Sequence, residues 1–178
     1  MKRNALAIIL VMILLFIYAG CSRQGHPVVQ LREVNGEKML LGPVQYQDIL
    51  RYFSDWRAAD SSSQAQETVI RGFQKIKNPV EVVCFLGTWC SDSRHGVPPF
   101  VKTWKAAGNP EIRLKIIGVD RNLRDPQKLA PADSIRRVPT FIIKENGREL
   151  GRLVEYPESD SFARDFLNLL NKQHANNG

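Results

Sequence analysis

The apolar positions of this chain fall into a few patterns, and one run dominates them. From Val80 to Leu86 every residue except Glu81 is apolar. Apolar residues without polar alternation over that length predict a strand buried on both faces of a sheet. Gly87 and Thr88 end the run, and Trp89-Cys90-Ser91-Asp92-Ser93 follows. Val97, Phe100, Val101 and Trp104 then recur at the spacing of a helix face. Beyond the Asn109-Pro110 break, Ile112, Leu114, Ile116, Ile117 and Val119 predict another strand. Residues 122–134 form a polar connection expected to include a short helix. Thr140 to Lys144 and Glu149 to Glu155 predict a hairpin around Asn146-Gly147, a strong turn dipeptide. Phe162, Phe166, Leu167, Leu169 and Leu170 predict a closing helix, with Ser159 as its N-cap.

Upstream, Tyr46, Ile49, Leu50, Phe53 and Trp56 predict a helix from Val44 to Ala58. Val69, Ile70, Phe73 and Ile76 predict a second one ending near Asn78-Pro79. Residues 22–42 are polar and mixed, read as a short tether followed by an irregular or β segment. The first residues differ in kind. Lys2 and Arg3 precede an apolar run from Ala5 to Tyr18, shorter than the ~20 residues of a spanning helix. Ala19-Gly20-Cys21 closes it with small residues, the form of a secretory leader. The expected organisation is a leader over 1–20, a tether and irregular segment over 21–43, and one folded domain over 44–174. No internal repeat is present.

Composition narrows the function classes. The formal charge of +7 among 178 residues falls to +5 once Lys2 and Arg3 leave with the leader. Lys and Arg are scattered among acids, so no nucleic-acid partner is expected. Of three cysteines, Cys21 directly follows the leader, leaving Cys84 and Cys90 in the domain. Exported proteins use cysteines mainly in disulfide frameworks, and two cannot build much of one. Cys90 therefore reads as chemical. At a strand-to-helix junction, unpaired N–H groups and the helix dipole favour a thiolate, with a pKa of roughly 3.5–7.5 at such positions. It is expected to be exposed and acidic. Cys84, inside the apolar run, reads either as a buried strand residue or as a hidden resolving thiol. His95 and Cys90 are too few for a metal site, which normally takes three or four ligands. No metal and no cofactor are expected.

Trp89-Cys90-x-x-Ser93 resembles the W-C-x-x-C site of the thioredoxin family, with serine at the second cysteine. Pro98 is similar to the proline that kinks that family's active-site helix. Val138-Pro139-Thr140, followed by strand, Asn-Gly turn and strand, resembles the segment that carries its cis-proline. The resemblance implies a thioredoxin-like α/β fold, a central mixed β-sheet flanked by helices, here with an extra N-terminal helix. It implies catalytic roles for Cys90 and Ser93, substrate binding by Trp89, Val138, Pro139 and Thr140, and Cys84 where the family has a buried acid. The implied activity is thiol–disulfide exchange. A serine hydroxyl cannot attack a mixed disulfide, so the expected mechanism is monothiol. A redox-inactive binding module and a metal- or haem-delivery accessory protein are the alternatives. Ala19-Gly20-Cys21 resembles a bacterial lipobox in which Cys21 is lipidated, and Ser22 resembles outer-membrane sorting in Gram-negative bacteria. An uncleaved signal anchor is the alternative. Either implies a membrane-tethered protein of the cell envelope, facing the periplasm or cell exterior, with protein or small-molecule thiols and disulfides as partners.

Overall fold

The run at residues 80–86 does form a strand buried on both faces. In the computed structural model, which describes residues 30–176, it is β3 (Val80–Leu86) of a six-stranded mixed sheet. The other strands are β1 (Gln30–Val34), β2 (Glu37–Pro43), β4 (Ile112–Gly118), β5 (Thr140–Glu145) and β6 (Arg148–Val154), in the order β1-β2-β4-β3-β5-β6. β3 runs parallel to β4 and antiparallel to β5, and β6 completes the hairpin with β5. The helices are α1 (Tyr46–Tyr52), α2 (Ser54–Ser62), α3 (Glu67–Gln74), α4 (Ser91–Ala107), α5 (Leu129–Ala132) and α6 (Phe162–Asn176).

Strand alternation divides the core into two layers. Val80, Val82, Cys84 and Leu86 face one way and pack with apolar residues of α1, α2, α3, α4 and α6. This layer centres on Phe73, Phe100, Phe141, Phe162 and Phe166, whose paired ring centroids lie 4.7–5.8 Å apart. Val83 and Phe85 face the opposite way, among Ile117, Val119, Ala130, Ile135, Val138 and Ile142. The second layer is thinner, covered by α5 and the connections around it.

The N-terminal part departs from the sequence expectation. The predicted helix over 44–58 breaks at Phe53, which is extended (φ −123, ψ 109), into α1 and α2. Apolar spacing carries on across that break, so the pattern hides it. The segment expected as tether or irregular chain holds the β1–β2 hairpin, turning at Asn35-Gly36 with positive φ at both residues. Met39, Leu40 and Leu41 are buried, so a domain start at residue 44 is too late. Cys21 and the leader lie outside the described residues. At α6 the cap is Ser161 rather than Ser159: Arg164 N–H donates to Ser161 Oγ at 3.3 Å. Asp165 instead accepts from the amides of Glu158 and Ser159, fixing the loop that enters the helix.

β2 joins the sheet through a short pairing, Gly42 with Gly118 and Pro43 with Ile117. The contact is close: a Cβ on Gly118 would meet Leu40 O at 2.0 Å. Gly118→Ala should therefore force β2 off β4 and lower stability by about 1–3 kcal/mol. Urea denaturation would measure the loss, and an unchanged midpoint would count against this packing.

Candidate active site

The site begins where β3 stops. Gly87 O accepts the Cys90 amide at 2.9 Å, and Cys90 O accepts the Arg94 amide at 3.1 Å. Cys90 is thus extended (φ −87, ψ 125) and occupies the N-cap of α4, as its place between strand and helix requires. Gly87 has room for no side chain, because its Cβ would come 2.5 Å from the Trp89 ring. The indole lies against that backbone and donates Nε1–H to Val119 O at 2.9 Å.

The expectation of an exposed thiol is corrected. Cys90 is 8% exposed, and its Sγ donates to Val138 O at 3.3 Å. The cause is the segment before β5, which contains the cis Val138–Pro139 peptide: Val138 is buried, and its carbonyl lies against the sulfur at the N-terminal end of α4. Pro139 O is occupied by the Glu155 amide at 2.8 Å. Thr140, expected at the substrate edge, is buried and gives its hydroxyl to Arg137 O at 2.7 Å. It holds the turn, leaving Trp89 and Val138–Pro139 beside the sulfur.

Ser93 is fully buried in the first turn of α4, and its Oγ accepts the Gly87 amide at 3.3 Å. The hydroxyl therefore ties the helix back to the loop that presents Cys90. Cys84 is elsewhere. It lies in the helix-covered layer, whereas Cys90 packs in the thinner one, and both cysteines are free. Complete burial pushes the Cys84 thiol well above its ordinary range, so it stays protonated. A resolving role would need that strand to open.

Several residues that the sequence did not single out complete the site. Trp56 of α2 is fully buried and donates Nε1–H to Thr88 O at 2.9 Å, two residues before Cys90. Asp55 pairs with Arg94 in the first turn of α4. The added helices thus brace the loop and helix that hold the thiol. On one side of Cys90, Arg121 lies over the Trp89 ring at 4.7 Å. Glu37 of β2 grips that guanidinium through two bonds of 2.8 and 3.1 Å. The side chain of Asp120 caps the amides of Asn122 and Arg124, shaping the turn on which Arg121 sits. On the other side, Tyr156 donates to Asp92 Oδ2 at 3.1 Å. His95 is exposed and lies 2.8 Å from Ser91 O through Nδ1. Among the described residues no three His, Cys, Asp or Glu side chains gather as metal ligands.

The arrangement offers one sulfur at a helix N-terminus, a buried hydroxyl behind it and an aromatic wall beside it. Iodoacetamide should label Cys90 and leave Cys84 unmodified until denaturant is added, read by mass spectrometry. Equal labelling of both in the folded protein would contradict the two-layer core.

The comparisons with known proteins agree with this geometry. Residues 45–162 match the family described as Thioredoxin. A Dictyostelium discoideum protein carrying the name thioredoxin-5 is 37% identical over 79 residues, 44% of this chain and 71% of that protein. A Pseudomonas aeruginosa protein of unknown function has a similar fold at TM-score 0.59 and 15% identity, covering 74% of this chain and 93% of its own. An HIV epitope scaffold matches at TM-score 0.55 and 16% identity over the same shares. From strand-to-helix cysteine to family match, this chain belongs to the thioredoxin family.

Proposed function

We propose that this protein is a monothiol thiol–disulfide oxidoreductase tethered in the cell envelope. The observation that carries the reading is the separation of Cys90 from Cys84, the other thiol among the described residues. Ser93 holds the position of a resolving cysteine, and Cys84 is buried in the other packing layer. In the first step the Cys90 thiolate attacks one sulfur of a disulfide. A new S–S bond forms to that sulfur, and the other leaves as a thiolate. In the second step an external thiolate attacks the substrate sulfur of the adduct and expels the Cys90 thiolate. Each step exchanges one S–S bond for another, so the cycle needs a thiol partner and no bound cofactor. Ser93 cannot perform the second step, and its hydroxyl is engaged with the Gly87 amide.

Tethering rests on the sequence. Lys2-Arg3, the Ala5–Tyr18 run and Ala19-Gly20-Cys21 support a lipidated Cys21 and an envelope location. No helix of the described residues is long and apolar enough to cross a membrane. A second reading, a binding module without turnover, draws on the low exposure of Cys90 and its bond to Val138 O. Trapping separates the two.

With no resolving thiol, the wild-type protein should accumulate mixed disulfides through Cys90. Ser93→Cys should reduce that trapping and raise insulin reduction when a reductant is supplied. Absence of any Cys90 adduct would favour the binding module. Wild-type turnover equal to that of Ser93→Cys, and lost with Cys84→Ala, would make Cys84 the resolver. For the tether, Cys21→Ser should abolish incorporation of a labelled fatty acid. A wild-type chain that never takes up the label would replace the lipoprotein reading with a signal anchor.

A further inference from the structure

The turn after β6 is held in a conformation that its sequence does not favour. Glu155 has φ +66, in the left-handed region that suits glycine. The Tyr156 amide returns to Val154 O at 2.7 Å, making a three-residue γ-turn around Glu155. Such backbone persists where neighbours over-determine it, and it clusters at functional sites. Here there are two anchors. The Glu155 amide donates to Pro139 O at 2.8 Å, and its carboxylate pairs with Arg137. Both anchors belong to the segment that carries Val138–Pro139 beside the Cys90 sulfur.

The strained turn has a visible result. It directs Tyr156 towards the first turn of α4, where the phenol donates to Asp92 Oδ2 at 3.1 Å. Asp92 follows Cys90 by two residues, so the bond joins the helix that presents the sulfur to the strand end that backs the cis-proline. Tyr156 remains 61% exposed, so core packing does not explain where its ring sits. Asp92 also pushes the phenol above its ordinary range, which keeps the donor proton in place.

We propose that Tyr156 is a latch between the first turn of α4 and the Val138–Pro139 segment that favours small-molecule disulfides over extended polypeptides, a proposal that rests on the monothiol reading for its chemistry. A small disulfide needs only the space above the sulfur. An extended chain lying along the Val138–Pro139 edge must first part the phenol from Asp92. Its apparent rate is then the intrinsic rate multiplied by the fraction of molecules with the latch open. A single exposed hydrogen bond makes that fraction modest rather than vanishing.

The test compares full-length wild type, Tyr156→Phe and Tyr156→Ala, reading modification of Cys90 by mass spectrometry. The reagents are iodoacetamide and an extended peptide carrying the same iodoacetyl group. Tyr156→Phe, which keeps the ring and loses the donor, should accelerate the peptide reagent by roughly three- to tenfold. The iodoacetamide rate should stay unchanged, and Tyr156→Ala should match or exceed the peptide gain. Peptide rates unchanged in both variants would remove Tyr156 from the path. A slower peptide reaction in Tyr156→Ala would make the ring a binding wall, and equal gains with both reagents would mean altered sulfur reactivity; either overturns the latch. Failure of the oxidoreductase reading shows differently. If hydroxyethyl disulfide forms no adduct while alkylation follows the expected pattern, the latch stands and the exchange chemistry falls.

Discussion

Two-sided burial of β3 is the constraint from which the rest of the molecule follows. A strand covered on both faces is apolar along most of its length, here with only Glu81 near its start left polar and half-buried, and its side chains alternate between layers. Cys84 falls on the helix-covered side because it is even with Val82 and Leu86. The chain leaves the sheet after Leu86, so Cys90 emerges at the strand end rather than within the sheet. The separation of the two thiols is a consequence of strand geometry, and the single-sulfur character of the site follows from it.

The second organising feature is the brace built from elements ahead of β3. Trp56 reaches Thr88 O, Asp55 reaches Arg94, and Glu37 holds Arg121 over Trp89. Thr88 Oγ1 also accepts the Leu40 amide at 3.4 Å. Each bond ends within a few residues of Cys90 or on the residue that stacks beside it. Preorganisation of a reactive group depends on such outer contacts as much as on the group itself.

Much of this was legible in the residues. β3, α4, the β5–β6 hairpin and α6 announce themselves through local periodicity and the Asn146-Gly147 turn. Trp89, Cys90, Ser93 and Pro139 stand out by type and spacing. What escaped depends on contacts distant in sequence. The break at Phe53 keeps helical spacing on both sides. The β1–β2 hairpin presents only a short Met39-Leu40-Leu41 stretch, and the Asn35-Gly36 dipeptide at its turn is the one local signal that could have found it. Burial of Cys90 comes from a segment 48 residues away, and nothing local to the cysteine encodes it. Trp56 shows itself as one apolar position of a predicted helix, but the acceptor of its indole N–H cannot be read from spacing. Arg121 and Tyr156 follow strands in ordinary polar turns and carry no motif.

The short pairing of β2 with β4 also has a bearing on how the folded molecule behaves among its neighbours. Without β2, the end of β4 would present unpaired backbone groups beside Ile117 and Val119, a template for a strand from another molecule. The stretch of β4 that β2 leaves uncovered carries Arg113 and Lys115, both exposed, and edge charges of that kind discourage such docking. Apolar cover at one end and charge at the other together guard one edge. The hairpin ahead of the helices is thus a guard against self-association, and a chain trimmed to the region that matches the family would lose it.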